Sequence, residues 1–544
     1  MNKPESLIQS ITLLKSSENR EILFDNQMNK VIIDLSSINL SDCNSFDIKI
    51  VFSEPVAQFR NHDYTWQKLR TNFIANEFSP KIVKFQNDKV VQANITSGIW
   101  EIDKNAPCVL LWRFNPENAA PIASYLGSEN RKTAYQARQK FDFVENPALL
   151  YPKECGIEFS RSKIPFSAVA CFTDHCDFDT EENLVIQRKF FNEHQIKITK
   201  GFFLNHFSKR DNNASYQNQA EELLKWSESG HELCYHSLSQ SLKSNDASFQ
   251  DFKQFKPPFD PIKVWIDHGF QPYNFSLLRK GVLTDCDFEE ILQDKKINTL
   301  WNYIDSGTAT TGVINQFNTE HFTLSGFYNG NKDQGFAKEI QLIIKNIIFH
   351  YYNDEDLISK YRSTASNFKK VFFQKKIKSF FPLINDLLKL GASIFSVLLF
   401  WKTKKNRPYK LAKYSPIVFK HSIAEKEFYI FQTLEMLDFK KSLSQENIST
   451  LINESGVFIA HTYFSVPMHY HKGRLFSSSA IIDEKVSKNF EFLGNKIKNN
   501  EIWNPTLTEL IEYWSGFENL LLDIDFQGNL FEKSNTGLQM RKVV

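Results

Sequence analysis

The chain has 544 residues, 42% of them hydrophobic and 24% charged, a composition that supports buried cores and excludes a disordered chain. Lys and Arg number 65 against 63 Asp and Glu, so no whole-chain basic charge marks a nucleic-acid binder. The 19 glycines, about half the ordinary share of 7%, exclude collagen-like and Gly-rich repeat architectures. The seven cysteines form no CxxC pair, which argues against both a disulfide framework and a zinc ribbon. The first residues, MNKPESLIQSITLLKSSENR, hold no apolar core of signal-peptide length. The expected home is a reducing cytoplasm. No run of 18 apolar residues predicts a membrane-spanning helix.

Residues 1–150 read as a β-rich N-terminal domain. Lys30–Leu35, Phe46–Phe52 and Val109–Phe114 are short, β-branched or aromatic, and bounded by polar turns. Trp100 and Trp112 read as core rather than as sugar-stacking rings.

From residue 151 the texture changes to α/β. Ser167–Phe172 is a continuous apolar strand, Glu181–Glu193 has helical spacing, and Lys197–Leu204 is a second strand. Glu221–Ser229 is a short amphipathic helix stopped by Gly230. The alternation predicts parallel strands with crossover helices over 151–350.

Residues 351–415 read as a basic helical insertion. Between 360 and 420 stand fifteen Lys and Arg and one acid, Asp386, so this stretch is +14 and the remainder of the chain −12. Within it, Phe380, Phe381, Leu383, Ile384, Leu387, Leu388 and Leu390 share one side of a helix, with Asn385, Asp386 and Lys389 opposite. An apolar face flanked by lysines suits an anionic membrane interface; the competing reading is a core helix. From 416 to 544 the α/β pattern resumes. Strand Val457–Ala460 runs into His461, and Leu507–Tyr513 is a terminal amphipathic helix.

Two polar constellations carry chemistry. Strand Ser167–Phe172 runs into Thr173-Asp174-His175-Cys176-Asp177-Phe178-Asp179. The C-terminal end of a parallel strand is where α/β folds bind ligands. Asp179 or Thr180 also suits a helix N-cap. The second is Gly230-His231-Glu232 followed by His236-Ser237-Leu238-Ser239-Gln240. Two His and a Glu this close point to a metal site.

With Thr199-Lys200-Gly201-Phe202-Phe203 between them and Phe458-Ile459-Ala460-His461 later, the order and spacing resemble the polysaccharide deacetylases of the nodulation-deacetylase homology class (carbohydrate esterase family 4). The likeness covers about 165–245 and isolated later points. It implies a distorted (β/α)7 barrel, completed by residues 416–544 after the insertion. It implies Asp174 as catalytic base, His461 as general acid and His236 as a metal ligand. Two departures stand out. His175 occupies the place of the family's metal-binding Asp, which favours Zn over Mg, with Asp177, or alternatively Asp179, as a further ligand. Gln240 occupies the place of its second metal His. The family's arginine-proline motif is replaced by Trp265-Ile266-Asp267-His268-Gly269. There Trp265, Asp267 and His268 read as substrate-binding residues together with Gln240, and a hydrogen-bonded turn is the alternative.

The implied activity is metal-dependent N-deacetylation of an amino-sugar glycan of the cell envelope. The substrate would be a glycan or lipid-linked sugar, with 360–420 on the inner membrane face. Two alternatives stay open: a non-catalytic carbohydrate-binding or scaffold protein with a degenerate site, and another metal-dependent hydrolase or lyase on the same barrel.

Overall fold

The computed structural model describes residues 7–544 apart from 16–17, 37, 41–42, 127–130, 206–213, 237–243, 259–260, 267–274, 276–277, 279–282, 306–313, 333–334, 353, 437 and 467–473.

The N-terminal residues build two antiparallel sheets, of six and seven strands. Strand Phe46–Phe52 shows why: Phe46, Ile48, Ile50 and Phe52 are buried and the residues between them are not. This period of two gives a sheet one apolar face. Val31, Val83, Phe85 and Val91 of the second sheet fill the same core. Trp100 and Trp112 are fully buried in it and meet edge to face at 5.6 Å, so both are core rings.

The expected α/β barrel follows, and it closes. Its strands are β1 (Ala168–Asp174), β2 (Thr199–Phe202), β3 (Glu232–His236), β4 (Val264–Ile266), β5 (Thr299–Asp305), β6 (Lys426–Glu435) and β7 (Val457–Thr462). Each pairs in parallel with the next, and β1 pairs with both β2 and β7, completing a seven-stranded ring. Strand Val418–Ile423 adds to β6 as an antiparallel hairpin.

The crossovers carry α1 (Glu181–His194), α2 (Tyr216–Glu228), α3 (Asn245–Gln254) and α4 (Asp285–Asp294). Thr180 caps α1 by accepting from the Asn183 N–H. Helix α2 begins five residues before the predicted Glu221. Between β5 and β6 the insertion includes α5 (Glu355–Phe372) and α6 (Phe380–Leu399); α7 (Gln445–Asn453), α8 (Glu484–Lys498) and α9 (Leu507–Glu518) follow.

Outward residues of the barrel, such as Ala170, Phe172 and Leu233, pack on Phe191, Trp226 and Phe490 of the surrounding helices. Inward residues, Val169, Cys171, Cys234, Ile266, Phe431 and Ile459, share a core with Leu507, Leu510, Ile511 and Trp514 of α9. Helix α9 thereby stoppers the N-terminal end of the barrel. The Leu507 N–H donates to Thr199 Oγ1 at 2.9 Å, and the Thr508 N–H donates to Glu232 at 3.2 Å. A buried carboxylate at a helix N-terminus complements the unpaired N–H groups there. Glu232 is thus spent on the stopper.

The N-terminal sheets and the barrel are tied at His421. Its Nδ1 accepts from the Arg138 N–H at 3.0 Å, and the Ser422 N–H donates to the Arg138 carbonyl at 2.8 Å. Burial first, then the positive Arg138, hold this imidazole down to about 3. The unfolded value is about 6.5, so between these values the unfolded chain takes up a proton that the fold refuses. Stability from this group is full above pH ~6.5 and falls with decreasing pH towards 3. The gap in unfolding free energy between wild type and His421→Gln is expected to narrow by about 2 kcal/mol from pH 7 to pH 5. Urea melts at both pH values measure it; a constant gap would mean that His421 titrates alike in the folded and unfolded chain.

Candidate active site

Alternation along β1 decides which side chains enter the barrel. Ala168, Ala170 and Phe172 face the helices, and Val169 and Cys171 face the lumen. Asp174 therefore points outward, and His175, one residue on, stands at the C-terminal mouth. His236 ends β3, and His461 lies on β7 in register with Thr173.

The three imidazoles meet. His175 stacks on His461 with ring centres 4.0 Å apart and lies 4.7 Å from His236. All three are buried, none more than 3% exposed. His236 Nε2 is 3.1 Å from Asp177 Oδ2. His175, Asp177 and His236 each offer one ligand atom, all within 4.8 Å of one another. Two imidazoles and one carboxylate, with positions left for water, are the donor set of catalytic zinc and related late-metal sites, so this group can hold a divalent metal.

The sequence motifs did not single out the aromatic walls. Trp301 lies 4.6 Å from His175 and 4.8 Å from His461, and its Nε1–H donates to Thr433 Oγ1 at 3.0 Å. Tyr463 lies 5.1 Å from His175 and 4.9 Å from His461, and Phe203 lies 5.0 Å from His236. Tyr463 stands two residues after His461, and that spacing on a strand end was the available signal. Gly201 leaves room for the group: a Cβ there would stand 3.2 Å from the His236 Cβ and 2.7 Å from the Asp174 carbonyl oxygen. Glu435, at the end of β6, is in register with His461. Alternation puts it on the lumen side with Phe431 and Thr433.

Asp174 is not in this group. Its carboxylate accepts from Lys200 Nζ, from Thr462 Oγ1 at 3.1 Å and from the Phe464 N–H at 3.1 Å. Lys200 also donates to Asp179 at 2.6 Å and to Gln187 Oε1 at 2.9 Å. Asp179 in turn accepts from Ser465 Oγ at 2.7 Å and from Gln187 Nε2 at 2.9 Å. The Lys200 and Asp174 side chains are fully buried, between β1, β2 and α1. Burial pushes the Asp174 carboxyl up while Lys200 pulls against it. Burial pulls Lys200 down, but the two carboxylates outweigh that and hold it above its ordinary value. The network pins the start and end of the loop that carries His175 and Asp177.

Trp265 is also elsewhere. It is fully buried on the outer face of β4, 4.8 Å from Phe252 and 6.0 Å from Phe288. That is a core position, because β4 alternates as β1 does. His231 Nδ1 accepts from the Ile198 N–H at 3.2 Å, and its ring packs on Trp226 at 4.7 Å, a structural role. Gln240, Asp267 and His268 lie outside the described residues.

A closed (β/α)7 barrel with a metal-competent His–Asp–His group at its mouth is the class of protein that the fold and site define. No family model matches the sequence, and no curated protein matches it. Among solved structures, a Flavobacterium johnsoniae GH31 dextranase complexed with glucose aligns over 96% of this chain and 71% of its own, at 9% identity and a TM-score of 0.28. The same dextranase as mutant D412A with isomaltotriose aligns over 54% of this chain and 41% of its own, at 8% identity and a TM-score of 0.21. A glycoside hydrolase family 97 enzyme from Pseudoalteromonas sp. strain K8, in complex with acarbose, aligns over 55% and 51% at 10% identity and a TM-score of 0.21. In the last two alignments this chain spans about half or less of the other protein's length. Likeness at this level carries no argument about activity.

Proposed function

We propose that the chain is a metal-dependent hydrolase of the polysaccharide deacetylase kind, releasing acetate from an amino-sugar glycan. The observation that carries this reading is the meeting of His175, Asp177 and His236 beside His461 at the barrel mouth. The motif resemblance supplies the substrate class. His175, Asp177 and His236 would hold the metal, with Zn favoured by the two imidazoles. When bound, it supplies a Lewis acid and lowers the pKa of a water. The chain's own groups do the rest. His461 hands a proton to the departing sugar nitrogen. Glu435, the carboxylate in register beside it, takes the proton of the attacking water. Trp301, Tyr463 and Phe203 exclude bulk water and bound the acyl pocket. Asp174 positions rather than reacts, because Lys200 holds its carboxylate on the other side of the strand.

That same ion pair favours a second reading, a carbohydrate-binding scaffold with a degenerate site, since the family's base position is committed to structure. Metal content of the purified chain, with acetate release from a panel of acetylated glycans, separates the two. About one divalent ion per chain and metal-dependent acetate release are expected. A chain that neither binds metal nor is activated by it would establish the scaffold.

A further inference from the structure

Helices α5 and α6 form an antiparallel hairpin outside the barrel. Tyr352 Oη donates to the Ser393 carbonyl at 3.2 Å, and Ser363 Oγ donates to Asp386 at 2.9 Å. On a wheel of 3.6 residues per turn, α6 divides into three sectors. Leu383, Leu390 and Val397, seven residues apart, are its buried positions. Leu390 and Val397 pack on Ile348, Leu357, Leu324 and Ile347. Asn385, Asp386, Lys389, Ser393 and Ser396 make a polar sector. Phe381, Ile384, Leu387, Leu388, Phe395 and Leu398 make the third, and all are exposed. This apolar arc covers about 120° of the helix. The amphipathic side expected from the sequence is therefore split: a thin seam faces the protein, and the rest faces outward.

The turn between the helices repeats the pattern. Phe373 is 77% exposed, Ile377 84% and Phe381 80%. Lys369, Lys370, Lys375, Lys376 and Lys378 flank them along the chain. A contiguous exposed apolar surface of this kind marks a contact site. Its charge selects the partner. Residues 360–420 are +14, so a second copy laid against this face would bring like charges together.

Among the described residues one helix, Ile377–Leu399, is by length and composition apolar enough to cross a membrane, although the sequence reading predicted none; 17% of its most apolar 18-residue window is buried. The difference lies in Asp386 and Lys389, which interrupt the uncharged run but not the helix. These two charges, Pro382 and the seam that holds α6 on the Lys-rich α5 favour a helix lying flat over one that spans.

We propose that the α5–α6 hairpin docks on an anionic phospholipid surface, with the exposed arc of α6 and the turn in the headgroup–acyl boundary and the lysines on lipid phosphates. The inference does not rest on the proposed hydrolase activity. Co-sedimentation of the full chain with vesicles tests it. Binding to phosphatidylglycerol/phosphatidylcholine vesicles is expected to exceed binding to phosphatidylcholine alone by about tenfold or more and to fall with added salt. The triple variant Phe373→Ser/Ile377→Ser/Phe381→Ser alters only exposed positions. It is expected to keep the wild-type thermal melt and lose vesicle binding by about tenfold. Lys375→Glu/Lys376→Glu/Lys378→Glu is expected to abolish the preference for anionic lipid. Equal partition of wild type and the serine variant would overturn the proposal. So would wild type that stays in the supernatant, or a dimer that the serine variant dissociates without any vesicle binding. Resistance of the bound chain to alkaline carbonate would also overturn it, in favour of a spanning helix.

Discussion

Lys200→Met is expected to lower the unfolding free energy by about 3–5 kcal/mol, the usual cost of removing one partner from a buried ion pair. Lys200 is the cation shared by Asp174 and Asp179, and its side chain is fully buried. Without it, two carboxylates face each other in a low dielectric, and one must take up a proton or admit water. Urea melts of the folded chain give the number. Neutralising the other side should repair most of the loss. Lys200→Met/Asp174→Asn leaves one buried carboxylate, Asp179, still hydrogen-bonded by Gln187 and Ser465. The double variant also decides what Asp174 does. If it positions the loop, stability and acetate release recover together. If stability recovers while activity stays lost, Asp174 belongs to the chemistry, as the deacetylase resemblance implies.

His236→Ala and His461→Gln should both cost about 10²–10⁴ in kcat, the range for losing a group that acts on the proton or on its acceptor. They should differ in metal content. His236 is one of the three groups able to hold the ion, in contact with Asp177 at 3.1 Å, so its alanine variant should be purified without metal. His461 stacks on His175 but is not one of the three. Its glutamine variant should therefore keep the wild-type stoichiometry. Loss of metal from both variants would make His461 a ligand, and retention in both would move the site elsewhere.

Much of this arrangement was legible in the sequence. Ala168–Phe172 and Val457–Ala460 are apolar without interruption, as strands buried on both faces must be, whereas Lys197–Leu204 carries two lysines and a threonine. His236 and His461 fell where a known motif series has histidines, and His175 where it has an aspartate. That same continuity hid the facing of Asp174. A strand apolar on both sides gives no sign of which residues face the lumen, so Asp174 and His175 looked equivalent. Lys200 is 26 residues from Asp174 in the chain and becomes its partner only through the pairing of β1 with β2. Trp265 was misjudged for the same reason, on a strand whose alternation turns its ring to the helices. Glu435 and Trp301 stand outside every motif that pointed to the site, and only closure of the barrel brings them beside it. In α6 the spacing located the apolar residues correctly. It could not tell the few that pack from the many that stay exposed, because both are leucine, isoleucine or phenylalanine.

The stopper formed by α9 limits what can travel through the molecule. With Leu507, Leu510, Ile511, Trp514 and Phe517 filling the N-terminal end, that end offers no approach to the histidines. A polymer therefore cannot thread the barrel from end to end. On the proposed hydrolase reading, substrate and product would both use the C-terminal side, so departure of one and arrival of the next would compete.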